Sequence, residues 1–332
     1  MTPTGWFQVA WSDEIAHGAV HRMTYFGRDL VAWRARSGRL TVMDAYCEHL
    51  GAHLGHGGHV VGRDEGDVIQ CPFHGWQWDA DGRNVCIPYE PRPNRGRRMR
   101  TYPVVECNES VYLWHDVARR DPFFDVPDIF ADFTGDATPA DYYPQQRLFR
   151  QRVTLHPQYV LENGVDFAHF KYVHQTPIVP LFTRHDFAGP VSYVDFTITF
   201  EGADSQSIDD VASGVEAING GLGVAVTKSW GMVDNRTISA ITPVDEHSCD
   251  VRFTVYIGRR PGDDSAKTAE RARLFGESVI EQFAADIEIW SHQRYQESPA
   301  LAPSESESFT TFRTWAAQFY PEGRAYPESA GV

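Results

Sequence analysis

The chain has 332 residues, long for one hydrophobic core and comfortable for two, with the 42% hydrophobic and 23% charged residues of a globular protein. Its formal charge of −15 argues against nucleic acid or an anionic membrane as partner, since both would repel it, and favours a largely uncharged organic substrate. Residues 1–20 show no basic start followed by an apolar run and no stretch is apolar enough to span a bilayer, so a cytoplasmic protein without membrane partners is expected.

Short β-like runs fill the first third, at residues 24–26, 30–34, 40–45, 68–71 and 111–114, separated by Gly, Asp and Asn turns. They predict an all-β domain over residues 1–118. Two of its loops read Cys47-Glu48-His49 and Cys71-Pro72-Phe73-His74. Two thiolates on one iron and two imidazoles on the other make a Rieske 2Fe-2S centre, and paired C-x-H and C-x-x-H loops supply one ligand of each kind apiece. Zinc held by two Cys and two His is the competing reading; zinc fingers, however, keep both cysteines in one loop and both histidines in the other. His53, His56 and His59 crowd the first loop, yet only His49 forms the tight pair. The odd remainder, Cys86, Cys107 and Cys249, fits a reducing compartment better than a disulfide framework.

An arginine-rich run follows the cluster loops, with Arg92, Arg95, Arg97, Arg98 and Arg100 in an otherwise acidic protein. It is either a docking face for an acidic electron donor or a solvated loop or subunit contact. Residues 121–144 are Pro-rich and helix-poor and read as the connection between domains, with Phe123, Phe124 and Phe130 to pack it. The second domain, residues 119–332, begins with a helix predicted over 158–174. Strands are predicted at 191–200, where apolar and polar residues alternate, and at 225–230, 236–242 and 249–257, followed by a long helix over 265–294. Residues 201–223, rich in Gly, Ser and Asp, read as a mobile insertion over a pocket or as a plain surface loop. The expected fold class is α+β, with an antiparallel sheet carrying helices in the second domain.

Within the first helix of that domain, Asp166 and His169 lie three apart and His174 five further on. Both imidazoles reach one ion if the helix ends or bends between them. Asp286, set among Val279, Phe283, Ile287 and Trp290 on an apolar helical stripe, is the candidate carboxylate, because an acid there must be paired, protonated or metal-bound. Two histidines and a carboxylate on one side of an iron are the ligand set of non-haem Fe(II) oxygenases. An intrahelical hydrogen bond and a structural ion pair are the plainer readings, but single electrons from a cluster need a destination.

These motifs resemble the oxygenase components of Rieske non-haem iron oxygenases. The D-x-x-H-x-x-x-x-H pattern is matched by Asp166, His169 and His174, and Ala52 and Phe73 stand where respiratory Rieske proteins have an extra disulfide. Gly55-His56-Gly57-Gly58, Ile87-Pro88-Tyr89, Asp286-Ile287-Glu288-Ile289-Trp290 and Arg313-Thr314-Trp315 are similar to the branch of 3-ketosteroid 9α-hydroxylases and cholesterol 7-desaturases. The resemblance implies a helix-grip catalytic domain, Asp286 as third ligand of a mononuclear Fe(II), a homotrimer, and a monooxygenase for a steroid-like substrate. It also implies that Asp166 links His169 to a cluster histidine of a neighbouring subunit. Asn163 is expected to position dioxygen or substrate, or else only to adjust the backbone before Gly164. The sequence carries no nucleotide-binding or flavin fingerprint, so NAD(P)H electrons have to arrive through a separate reductase or ferredoxin. Phe167, Phe170, Phe196, Ile198, Trp230 and Ile238 are candidates for an apolar substrate pocket or for ordinary core. Aromatic-ring dihydroxylation, desaturation, oxidative cyclisation, and an electron-transfer or redox-sensing role are the competing functions.

Overall fold

The computed structural model describes residues 2–135, 137–175, 180–200, 211–231, 233–263 and 265–321. The chain forms two compact units. One comprises Phe7–His115 with Val244–Glu246; the other takes the remaining segments, including the residues before Phe7.

The first unit holds ten whole strands and β1 from Phe7 onward: β1 (Gly5–Trp11), β2 (Val20–Tyr25), β3 (Arg28–Arg34), β4 (Leu40–Asp44), β5 (His59–Val61), β6 (Val68–Gln70), β7 (Gln77–Trp78), β8 (Asn84–Cys86), β9 (Thr101–Tyr102), β10 (Val104–Cys107) and β11 (Ser110–His115). They form sheets in the orders β1-β11-β10, β2-β3-β4-β9 and β5-β6-β7-β8. Strand periodicity explains how β3 and β4 organise the unit, since alternate side chains leave on opposite faces. Leu30, Ala32 and Val42 enter one core with Val9, Val111 and Leu113, whereas Val31, Trp33 and Met43 enter another with Cys47, Leu54, Ile69, Cys71 and Trp78. The cluster cysteines are thus built into the second of these cores. Arg34, at the end of β3, is buried and held by both Glu106 oxygens at 2.6 and 2.8 Å and by the carbonyl of Ile15 at 2.7 Å.

The second unit is built on one antiparallel sheet of β12 (Gln146–Val153), β13 (Leu181–Asp186), β14 (Val191–Phe200), β15 (Val211–Gly220), β16 (Val224–Trp230), β17 (Asn235–Pro243) and β18 (Cys249–Ile257), in the order β12-β18-β17-β16-β15-β14-β13. Its helices are α1 (Pro157–Glu162), α2 (Phe167–Tyr172), α3 (Ala266–Ser291) and α4 (Ser306–Ala316). This is the α+β class expected. Ser265 caps α3 by accepting the Thr268 N–H at 3.2 Å, and the buried stripe Ala272, Gly276, Phe283, Ile287 and Trp290 lays the helix on β12 and β18. Gly276 leaves room for the terminal amide of Gln146 from β12, which a side chain there would displace. Phe283 stacks on Phe253 of β18 with centroids 4.1 Å apart and planes 8° from parallel, which fixes the rotation of α3.

Paired residues share a face, so the register assigns both sides of the sheet. Phe196 stands opposite Phe182 and Val215, Val215 opposite Ser229, and Ser229 opposite Asn235; Thr227 stands opposite Ala217 and Thr237. These residues share the face that Phe253 presents to α3. Trp230 lies opposite Gly214, and Ile238 opposite Val226, so both are on the reverse side.

Two expectations change and a third holds. The helix expected over 158–174 is two short helices separated by a 3-10 turn at Asn163–Val165, because Asp166 adopts extended backbone (φ −88°, ψ 97°) and starts a new helix as its N-cap. The insertion expected over 201–223 contains β15, and its residues 201–210 lie outside the described residues. The connection over 121–144 packs as expected, although Phe123 is exposed: Phe124, Ile129 and Phe133 are buried, and the buried Arg236 donates to Tyr142 Oη at 2.7 Å and to the Ile129 carbonyl.

Candidate metal centres

The two cysteine loops close in the same way. In each, the cysteine carbonyl accepts the N–H four residues on, Gly51 to Cys47 at 2.9 Å and Gly75 to Cys71 at 3.1 Å. Its own N–H then donates five residues on, to Ala52 at 2.9 Å and to Trp76 at 2.8 Å. The turn requires a left-handed residue at its fourth step, and Gly51 (φ 74°) and Gly75 (φ 72°) supply it without a steric penalty. Two equivalent loops therefore present one sulfur and one imidazole each.

The Cys47 and Cys71 sulfurs are buried and in contact with one another. That contact, together with the backbone N–H groups of Phe73 and His74, pulls Cys71 down to about 6 against the opposing effect of burial, and the same contact with burial raises Cys47. The His49 and His74 rings lie 4.9 Å apart, and His74 Nδ1 is buried with no hydrogen-bond partner among the described residues. A buried imidazole nitrogen without a partner, beside two buried cysteine sulfurs, fits a metal cluster that takes both sulfurs as thiolates. Around this set, Trp76 stacks on His49 at 4.3 Å and 6° and donates to Tyr89 Oη at 2.9 Å, while the fully buried Trp78 donates to Cys47 Sγ at 3.3 Å. His53 and His56 are otherwise engaged: His53 Nδ1 accepts the Gly55 N–H at 3.0 Å, and His56 lies 3.1 Å from Arg22.

In the second unit, the break after α1 creates the other centre. The Asp166 Oδ1 atom accepts the N–H groups of Ala168 at 3.0 Å and His169 at 3.2 Å, so its carboxylate caps α2. His169 Nδ1 hydrogen-bonds the Asp166 backbone carbonyl, with the Asp166 Oδ2 atom at 4.0 Å. The acid thus orients His169 through its main chain rather than through its side chain. This contact assigns the proton to Nδ1 and leaves Nε2 as the ligand atom, facing Asn163 Nδ2 at 3.1 Å. Because α2 ends at Tyr172, His174 escapes the helical spacing, and its ring comes within 5.2 Å of that of His169. Asp286 arrives from α3, one turn beyond Phe283, with Oδ2 3.3 Å from His174 Nε2.

One ligand atom from each of His169, His174 and Asp286 lies within 4.8 Å of the others. Asp286 is only 6% exposed and His169 9%, and burial, ahead of the opposing pull of Asp166 and Asp286, lowers the His169 pKa and favours the neutral ligand form. His174 Nδ1 is buried without a partner among the described residues. Two imidazoles and a buried carboxylate can hold a divalent iron and leave its other side open.

The aromatic candidates divide. Phe170 lies 4.2 Å from the His169 ring and 4.9 Å from Phe196, which leads to Phe182 at 5.7 Å and on to Phe167 at 6.3 Å. These rings form a wall beside the site. Trp230 and Ile238 are on the wrong face of the sheet to join it, and the Ile198 side chain lies outside the described residues. The sequence reading missed the polar part of this face, where Thr227 and Thr237 hydroxyls meet at 2.6 Å; strand parity, counted across four strands, is the signal that finds them. It also missed the buried network beneath α1. There Arg313 Nε donates to Glu162 Oε1 at 2.8 Å, Gln158 donates to the same oxygen at 2.9 Å, and Tyr320 Oη donates to Gln158 at 2.9 Å.

Comparison with known proteins gives the family of the chain. A Rieske [2Fe-2S] domain model matches residues 5–103, and a model described as the 3-ketosteroid 9alpha-hydroxylase C-terminal domain matches residues 113–320. A 3-ketosteroid-9-alpha-monooxygenase oxygenase component from Rhodococcus rhodochrous is 28% identical over 336 residues, covering 95% of this chain and 83% of that protein. A cholesterol 7-desaturase from Caenorhabditis elegans is 29% identical over 345 residues, with 96% and 77% covered. Among solved structures, NdmB of Pseudomonas putida CBB5 shares the fold, with a TM-score of 0.67 at 17% identity over 94% of this chain and 89% of that one. No helix among the described residues is long and apolar enough to cross a membrane. A catalytic-domain match that occupies more than half of the chain, behind a Rieske domain containing both cysteine loops, makes this protein a Rieske oxygenase of the 3-ketosteroid 9α-hydroxylase family.

Proposed function

We propose that the chain is the terminal oxygenase component of a Rieske monooxygenase that hydroxylates a steroid-like skeleton with dioxygen and electrons from a separate reductase. The observation that carries this reading is the presence in one chain of two complete ligand sets, Cys47, His49, Cys71 and His74 in one unit and His169, His174 and Asp286 in the other. When bound, the cluster relays single electrons and Fe(II) supplies dioxygen activation. The protein residues do the rest. Asp166 holds His169 in one tautomer and orientation, and Asn163 sets an amide donor beside His169 Nε2. Phe170, Phe196 and Phe182 exclude water and give an apolar ring system a wall to pack on. The Thr227–Thr237 pair on the same face suits an oxygen substituent on such a ring system.

The relatives named above act on 3-ketosteroids and cholesterol by their titles, and their similarity along nearly the whole chain supports a substrate of that class. Tyr46, Leu50, Phe73 and Tyr89 form an exposed rim beside the cluster loops, which supports burial against another copy in a homotrimer. In that assembly the Asp166 Oδ2 atom would bridge to a cluster histidine of the neighbour; turnover unchanged in Asp166→Asn, with both metal contents intact, would remove that role. Arg92, Arg95, Arg97 and Arg98 are exposed, and Arg97 reaches Glu48 of the first cysteine loop at 3.8 Å, which supports docking of an acidic electron donor there. Rates of cluster reduction whose salt dependence survives charge removal at Arg92 and Arg95 would exclude it.

The decisive experiment screens steroids for oxygen-dependent consumption of reductant and follows labelled dioxygen into the product. Hydroxylation gives one labelled atom and desaturation, the reaction named for the cholesterol relative, gives none. Asp286→Ala should keep the cluster spectrum, lose the third iron per subunit and stop turnover. If no steroid accelerates reductant consumption, the substrate class is wrong; if Asp286→Ala turns over normally, the iron site is.

A further inference from the structure

The indole of Trp78 is the feature that the ligand assignment leaves unused. Trp78 ends β7 directly opposite Ile69 of β6 and is fully buried in the core that contains both cysteines. It follows the Cys71 loop in sequence, yet its Nε1–H is aimed at the other loop and meets Cys47 Sγ at 3.3 Å. An indole N–H can only donate, and once buried it needs an acceptor. A sulfur of the ligand set is a demanding choice of acceptor, because its charge changes with the redox state of the metals it holds.

We propose that Trp78 is a positioning and tuning residue, whose single N–H···S bond ties the two ligand loops together and raises the reduction potential of the cluster. The reasoning is electrostatic. Reduction adds one electron, from the iron-sulfur or flavin group of a reductase, and increases the negative charge on the sulfur ligands. A fixed donor in a dry core stabilises the more negative state the more, as hydrogen bonds to the sulfurs of such clusters do. No bond forms or breaks in this step, and the indole keeps its proton. Trp76, two residues earlier, does not share the role, since its N–H is committed to Tyr89 Oη at 2.9 Å and its face to His49.

The test replaces the N–H without changing the ring. Trp78→3-benzothienylalanine, a same-shape side chain with sulfur in place of the N–H, should lower the midpoint potential measured by dithionite titration of the visible spectrum. A tenfold loss in the relative stability of the reduced cluster corresponds to about 59 mV for one electron. The opposite change, Trp78→4-fluorotryptophan, makes the N–H more acidic and should raise the potential. Trp33 is the control: it is buried in the same core, and its Nε1 has no partner among the described residues, so Trp33→3-benzothienylalanine should leave the potential where it is. Shifts of opposite sign at Trp78 with none at Trp33 support the proposal. Unmoved potentials in both Trp78 variants, or equal shifts in the Trp33 control, overturn it while leaving the cluster in place. A wild-type protein with neither the visible absorption nor the reduced-state EPR signal of a Rieske cluster overturns the ligand assignment, on which the proposal rests.

Discussion

Arg313→Met tests whether the iron site depends on the buried network beneath it. The Arg313 side chain is 19% exposed and that of Glu162 6%, and two guanidinium contacts at 2.8 and 3.2 Å join them. Methionine keeps the length and removes the charge. Glu162 then retains the Gln158 amide at 2.9 Å as a donor but loses its cation. Leaving one partner of a buried pair uncompensated costs about 3–5 kcal/mol, and in a unit of this size each kcal/mol moves the melting temperature by about 2–4 °C, so a fall of roughly 10 °C is expected. Glu162 closes α1 immediately before Asn163, so retention of the mononuclear iron should fall with it. Calorimetry and iron analysis of Arg313→Met, Glu162→Gln and the double variant form a cycle. The double variant should recover about 2 kcal/mol relative to the sum of the singles. Simple additivity, or a shift below about 2 °C in Arg313→Met, would refute the reasoning.

Two further outcomes follow from the geometry. The Arg34 hydrogen bonds depress the Glu106 pKa, so the stability from this pair is fully present above the ordinary carboxylate value and is lost as pH falls through the lowered one. Glu106→Gln should therefore be less stable at neutral pH, with a deficit that shrinks in acid; a deficit constant down to about pH 3 would show that the ion pair is not its source. Phe196→Ala should raise KM for a polycyclic apolar substrate by about tenfold or more through lost apolar burial, with kcat less affected, whereas Trp230→Ala on the opposite face should leave KM unchanged. Equal KM effects from the two would mean that the pocket does not lie on the face assigned to it.

The proposed ligand sets are legible because their chemistry is local. Each cysteine and its histidine fall within one tight loop, and His169 and His174 within one short segment, so spacing carries the information. Asp286 was legible as an acid on an apolar helical stripe, where only a partner or a metal tolerates it. The elements missed depend on distant pairing. β1 is buried at all seven positions and shows no alternation, and β15 is written in Ala, Ser, Gly and Asn, residues that read as a loop until β14 and β16 flank it. In α4, phenylalanine, threonine and tryptophan give a weak helical preference that packing overrides. For Trp230 both readings stayed open for a reason of parity: a strand reveals that its faces differ, but the register decides which one meets the helices.

The three residues Val244–Glu246 give the chain a timetable. Val244 is 2% exposed in the core of the cluster unit, and its carbonyl accepts the Gly27 N–H at 2.8 Å. That unit is otherwise drawn from residues 7–115. During synthesis at about 5–20 residues per second, its cysteine loops emerge many seconds before the segment that completes the core. A cluster loaded during synthesis would meet a partly closed unit, and a nascent chain stalled before residue 244 should hold iron-sulfur more weakly than the released protein.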